Sequence, residues 1–231
     1  MGKPMVYLRN GWAVKVNGLH LNRVGIIMGP SYIRNLGTDV MPYVLDNDKF
    51  SVWAKGKDWD VNAYWAMLDK IDEKTAKPLW VVVPDVVGDA DATFREWGYW
   101  CPYLRERGHT LALAVQDGMT PDSVKRNTDP DVIFVGGTTD WKRKTVWNWC
   151  HEFPRVHVGR VNTEKWLWNA HNCGAESTDG TGWHRDGDRN RAKGLHRYLD
   201  RTESDMEHPQ SMLEFARTFG GEVPKDVFPN R

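Results

Sequence analysis

Continuous runs of apolar, mostly β-branched residues recur along this chain at 24–28, 43–45, 79–83, 111–115, 132–135 and 156–158, with a weaker run at 175–178. Runs that do not alternate with polar residues are the mark of strands buried on both faces of a parallel sheet. Between them lie amphipathic stretches of helical length at 60–72, 89–107, 140–153, 163–173 and 190–199. Asp89 and Thr163 stand where helices should be capped, and Gly108 and Gly174 where they should stop. Strand then helix, repeated, predicts an α/β fold with right-handed crossovers. A further strand at 12–16 brings the number to eight, enough to close a (β/α)8 TIM barrel. That barrel is somewhat reduced: the helix after the first strand is missing and the one after the fourth is expected to be short. An open doubly wound sheet is the alternative, and the first β-α turn lacks the G-x-G-x-x-G of that fold.

No Pro/Gly-rich linker or low-complexity segment interrupts the 231 residues, so one domain is expected, with its core at about 12–200 and a helical tail at about 205–231. No run approaches the roughly 18 apolar residues of a membrane span, and the first residues lack the layout of a signal peptide. A cytoplasmic protein with no membrane partner is expected. Cys101, Cys150 and Cys173 form no C-x-x-C, which predicts reduced thiols and neither a disulfide framework nor a cysteine-rich metal site. Basic and acidic residues balance at 31 each, so any nucleic acid must be held by a local basic footprint. Thirteen tryptophans read more simply as bodies packed over barrel strands than as base-stacking platforms.

Polar residues collect where the strands end: Asp46, Asp85, Gln116, Gly136 with Gly137, Gly159 and Asp179. The C-terminal mouth of a (β/α)8 barrel is where side chains from many strands converge. A carboxylate ending a buried apolar strand is costly to desolvate without a task or a partner. Any one of these could be a helix cap, but three carboxylates and a glutamine at equivalent positions are hard to explain by capping alone.

The series LDNDKF, VVPD, VQDG, VGGT, HVGRV and ESTDGT resembles, in order and placement, the motifs of the tRNA-guanine transglycosylase superfamily, including its short DNA-modifying 7-deazaguanine branch of phage and bacterial type. The similarity runs from about Tyr43 to Trp183. It implies a transferase that exchanges guanine for a 7-deazaguanine base. Asp179 matches the nucleophile and Asp46 the general acid/base. Phe50 matches the aromatic that stacks on the base, while Asp85, Gln116, Gly136, Gly137 and Gly159 fall at the base-binding positions. Two departures stand out. Asn47, Asp48 and Lys49 replace the middle of the family's D-S-G-G-F, which predicts a loop with a different, glycine-independent path. The C-x-C-x-x-C zinc motif of the tRNA enzymes is missing, so no metal or other cofactor is expected, and DNA is the expected polymer rather than tRNA.

Physical chemistry supports the assignment independently. Breaking a nucleoside bond builds positive charge on the sugar and negative charge on the leaving base, so one carboxylate can trap the sugar and a second carboxyl group can serve the base. Lys142, Arg143, Arg160, Arg185 and Arg189 follow the late strands; they read either as a solvated face or as a rim for backbone phosphate. His157 lies within a strand and reads as a satisfied barrel histidine. His184-Arg185-Asp186 resembles a kinase loop without its downstream Asn, and Asp186 to Asn190 resembles a calcium loop without its glycine or closing Glu. Competing readings are an N-glycoside hydrolase using the same carboxylates and a non-catalytic nucleic-acid-binding barrel. An aldolase-type barrel would need a strand-end lysine that is absent.

Overall fold

The computed structural model describes residues 4–8, 13, 16, 20, 23–33, 41–183 and 189–203. Eight parallel strands close into a barrel in sequence order: β1 Met5–Leu8, β2 Val24–Met28, β3 Tyr43–Leu45, β4 Val81–Val82, β5 Leu111–Val115, β6 Val132–Val135, β7 Val156–Val158 and β8 Ser177–Asp179. Closure rests on β1 and β8, with Val6 opposite Thr178 and Tyr7 opposite Asp179. The α-helices are α1 Lys49–Trp53, α2 Val61–Asp72, α3 Ala90–Glu106, α4 Pro121–Asn127, α5 Thr139–Glu152, α6 Glu164–Asn172 and α7 Arg189–Glu203. The expected (β/α)8 barrel is therefore present.

Its first strand is not where the sequence put it. Met5–Leu8 forms β1, whereas Ala13 and Val16 are helical and pack in the outer layer. Apolar residues three apart share one helix face, and a run as short as 12–16 does not distinguish that face from a strand. The helix after the fourth strand, expected to be short, is the 17-residue α3, the longest among the described residues, whereas α4, after the fifth, has 7. The tail expected at 205–231 lies outside the described residues.

Alternation within the strands builds two layers. Val6 and Leu8 of β1 face outward among the helices, while Tyr7 joins Val44, Trp80, Val82, Ala112, Ala114 and Val132 inside the barrel. Inside, Trp80 meets Tyr7 edge-on at 6.0 Å, Phe134 at 6.1 Å and His157 at 4.9 Å between ring centres. Small Ala112 and Ala114 on β5 leave room for these rings. The barrel is thus plugged by an aromatic layer, and a cavity opens above it, at the C-terminal ends of the strands.

Local chemistry sets where the helices begin and end. The Asp89 carboxylate accepts the Ala92 N–H, Asp60 accepts those of Asn62 and Ala63, and Thr163 accepts that of Trp166; each such cap contributes about 1 kcal/mol. Gly108 and Gly174 stop α3 and α6 with φ of 77° and 88°, a region that costs glycine nothing. Trp97, Trp100, Trp149, Trp166 and Trp168 are buried in the outer layer. Trp53 departs from that pattern, being 60% exposed. The three cysteines are free thiols.

Candidate active site

A cavity of about 720 Å³ opens at the C-terminal ends of the strands, within the range of small-molecule sites. Ile27, Val82, Ala114 and Phe134, the top of the barrel interior, line its floor. Asp46, Asp85, Gln116, Gly136, Gly137, Arg160 and Asp179 line its walls, with Phe50 and Trp53 of α1 on one side. Parallel strands ending at one level bring these residues together across more than 130 positions of sequence.

Asp46 follows β3 directly. Its backbone N–H donates to the Met28 carbonyl at 2.6 Å and its Oδ1 accepts the Asn47 N–H at 2.8 Å. The residue is partly open to the cavity, yet burial of its carboxyl, then the carboxylates of Asp48, Asp179 and Asp85, hold its pKa well above the usual range. The single backbone hydrogen bond does not offset them.

Asp85 is clamped. Asn47 Nδ2 donates to Oδ1 at 2.8 Å and Gln116 Nε2 to Oδ2 at 2.6 Å. Asn47 also donates to the Val83 carbonyl, and Gln116 Oε1 accepts the Gly88 N–H at 3.1 Å. Burial raises the Asp85 pKa, and the Asn47 bond, Lys49 and the Gln116 bond pull the other way. Each carboxylate oxygen keeps one lone pair beyond these bonds. The Gln116 amide is largely spent on Asp85 and Gly88, so it orients the carboxylate more than it faces a ligand.

The loop after Asp46 keeps a glycine-like turn without glycine. Asp48 has φ of 59°, a conformation that Asp tolerates better than most residues. Its carboxylate fills the space against Gly29, where a Cβ would come 2.5 Å from Asp48 Cγ, and accepts the Ser31 N–H at 2.9 Å. Asp48 thus takes the left-handed conformation that glycine would otherwise supply.

Two other glycines owe their place to contact. Gly137 has φ of 61°, and a Cβ there would lie 2.6 Å from the Trp141 ring. Gly159 does not line the cavity: a Cβ there would sit 2.6 Å from the Phe134 ring and 3.4 Å from Asp179 Oδ1. It lets the chain pass close behind the site instead of contacting a ligand.

Asp179 ends β8. Its Oδ1 accepts the Arg160 N–H at 3.0 Å and lies 3.1 Å from His157 Nε2. Arg160 itself holds φ of 58°, and its guanidinium bonds to the Gly137 carbonyl.

Of the expected phosphate-rim residues that are described, Arg160 lines the cavity, and Lys142 and Arg143 do not. Lys142 is 1% exposed, and its Nζ donates to the Gly159 carbonyl. Burial lowers its pKa to about 7, and its bond to the Gly159 carbonyl turns it inward, behind the loop after β7. Arg143 lies on α5 with its guanidinium 5.8 Å from the Trp166 ring, away from the cavity lining. Arg160 is inside the cavity. Arg185 and the Arg189 side chain lie outside the described residues. Sequence reasoning missed Asn47, whose adjacency to Asp46 was its only signal, and the contact that His157 makes.

No protein-family model matches the chain, and no curated protein sequence matches it. Among solved structures the chain is similar to 3-hexulose-6-phosphate synthase from Salmonella typhimurium, at 12% identity and a TM-score of 0.49, covering 86% of this chain and 99% of that one. Among the described residues, no group of His, Cys, Asp and Glu is arranged to hold a metal ion, and no helix is long and apolar enough to cross a membrane.

Proposed function

We propose that this barrel is a transglycosylase that exchanges guanine for a 7-deazaguanine base in nucleic acid, DNA rather than tRNA, through a covalent glycosyl intermediate on Asp179. The observation that carries this reading is the convergence of Asp46 and Asp179 on one cavity, with Asp46 biased toward its protonated form. Glycosyl transfer needs two carboxyl groups with different tasks. In the first half, a carboxylate oxygen of Asp179 bonds to C1′ as the C1′–N9 bond breaks. The bonding pair leaves with the base, and Asp46 gives it a proton. In the second half, Asp46, now a carboxylate, takes the N9 proton of the incoming base. That nitrogen then displaces Asp179 from C1′, which restores both carboxyl groups.

The rest of the wall suits a guanine-like edge. The unspent lone pairs of Asp85 can accept the ring N–H and exocyclic amine, the Gly137 N–H can donate to the carbonyl, since that of Gly136 is spent on the Val115 carbonyl, and the Phe50 ring can stack on the base. A base inside a duplex cannot reach such a cavity, so the target must be flipped out or single-stranded.

The test is to incubate the chain with DNA or unmodified tRNA at matched low salt together with a labelled 7-deazaguanine, then digest to nucleosides. Labelled deoxynucleoside is expected, and Asp179→Asn should abolish it while unfolding like the parent. Label in tRNA alone would overturn the DNA assignment. Released guanine without incorporation would make the protein a hydrolase, and full activity in Asp179→Asn would remove the nucleophile.

A further inference from the structure

Asp179 meets the cavity already oriented. A carboxylate only accepts hydrogen bonds, so the 3.1 Å contact with His157 Nε2 places the imidazole proton on that nitrogen. His157 Nδ1, 2.9 Å from Ser177 Oγ, then accepts from the hydroxyl. The three residues form a chain from Ser177 through His157 to Asp179, built across the β7–β8 pair, where His157 lies opposite Ser177.

The imidazole has no freedom to swing. It is wholly buried, with its ring centre 4.6 Å from that of Phe134 and 4.9 Å from that of Trp80. The second donor to Asp179, the Arg160 N–H, is fixed by the backbone turn after β7. Both donors land on Oδ1. Among the described residues none hydrogen-bonds Oδ2.

We infer that His157 is a positioning residue: with the Arg160 N–H it holds Oδ1 of Asp179 so that Oδ2 is the atom that attacks C1′. This rests on the glycosyl-transfer reading. A side chain pinned through one oxygen loses its rotational freedom before the substrate arrives, and the other oxygen keeps both lone pairs for bond formation. Geometry of this kind governs the chemical step more than base binding, because misplacement of a reacting atom by about 1 Å can cost 10²-fold in rate.

Two variants test it. His157→Phe keeps the ring packing and removes the donor, and His157→Gln returns an N–H. With labelled 7-deazaguanine and DNA, His157→Phe should lose roughly 10- to 100-fold in kcat with the base KM nearly unchanged. Single-turnover formation of the glycosyl-enzyme should slow in parallel, and His157→Gln should recover part of the rate. Parental kcat in His157→Phe, or a loss confined to KM, would overturn the inference. Should His157→Phe not fold, imidazole ¹⁵N spectra of the parent chain decide. An Nε2–H tautomer whose resonance moves in Asp179→Asn supports the contact, and an Nδ1–H tautomer overturns it. A parent chain that exchanges no base would sink the glycosyl-transfer reading instead, and the spectra would still report on the His157–Asp179 bond.

Discussion

The Arg160 guanidinium lies 4.1 Å from the centre of the Phe50 ring, a single layer of van der Waals contact that leaves no space for a planar base between them. A base stacking on that face must first displace Arg160, at a cost of about 0.5–1 kcal/mol for the cation–π contact. Arg160→Ala should therefore lower the apparent KM for the free base by about two- to fivefold. Its KM for the polymer should rise, because a cation at the mouth is lost, and kcat should change little, because the N–H that Asp179 accepts belongs to the backbone. Initial rates with each substrate varied in turn measure this. A higher base KM would show that Arg160 holds the base and does not cover its seat.

Asp85→Asn is a sharper change than its size suggests. Both oxygens accept from amide groups, Asn47 and Gln116, so one position of the new amide must point donor at donor. Leaving one buried donor without an acceptor should cost roughly 1–3 kcal/mol of stability. The same variant should lose base affinity, since it offers one acceptor fewer to the edge. Urea unfolding together with base-binding isotherms checks both. Parental stability would mean that the Asn47–Asp85–Gln116 clamp is not closed in solution.

Asp46 gives the protein a definite pH signature. Its folded pKa lies well above the ordinary 3.8, so between those two values the folded chain binds more protons than the unfolded one. Stability therefore falls as pH rises through that window, and Asp85, also raised, adds to the fall. Asp46→Asn should flatten the decline and leave the protein more stable than the parent above the window. Thermal unfolding from pH 4 upward measures it. A steeper decline in the variant would contradict the burial of the Asp46 carboxyl.

Lys142 acts in the opposite direction at higher pH. Its folded pKa of about 7 lies below the ordinary 10.5, so between them the unfolded chain binds the extra proton. Stability contributed at this position should rise from about pH 7 toward 10 and be lost as the pH falls back through that range. Lys142→Met, which keeps the apolar stem and removes the amine, should be more stable than the parent near pH 7. The advantage should shrink toward pH 10. Unfolding curves for both proteins at pH 7, 8.5 and 10 check the slope, and a parallel pair of curves would place the ammonium in water.

The strand-and-helix alternation, the single barrel and the row of strand-end residues from Asp46 to Asp179 were legible in the sequence, because burial on both faces imposes continuous apolar runs and carboxylates stand out at their ends. Caps such as Asp89 and Thr163 were legible for the same local reason. The first strand was misplaced because residues 12–16 are too few to separate a helix face from a strand by periodicity. Tertiary structure alone decided that Met5–Leu8 is the strand that pairs with β8, that Asn47 and Gln116 spend their amides on Asp85, that Lys142 turns inward to the Gly159 carbonyl, and that His157 reaches Asp179. Each of those facts depends on the distance and direction between side chains on different strands or on a helix packed behind them, which barrel closure sets and no local pattern encodes.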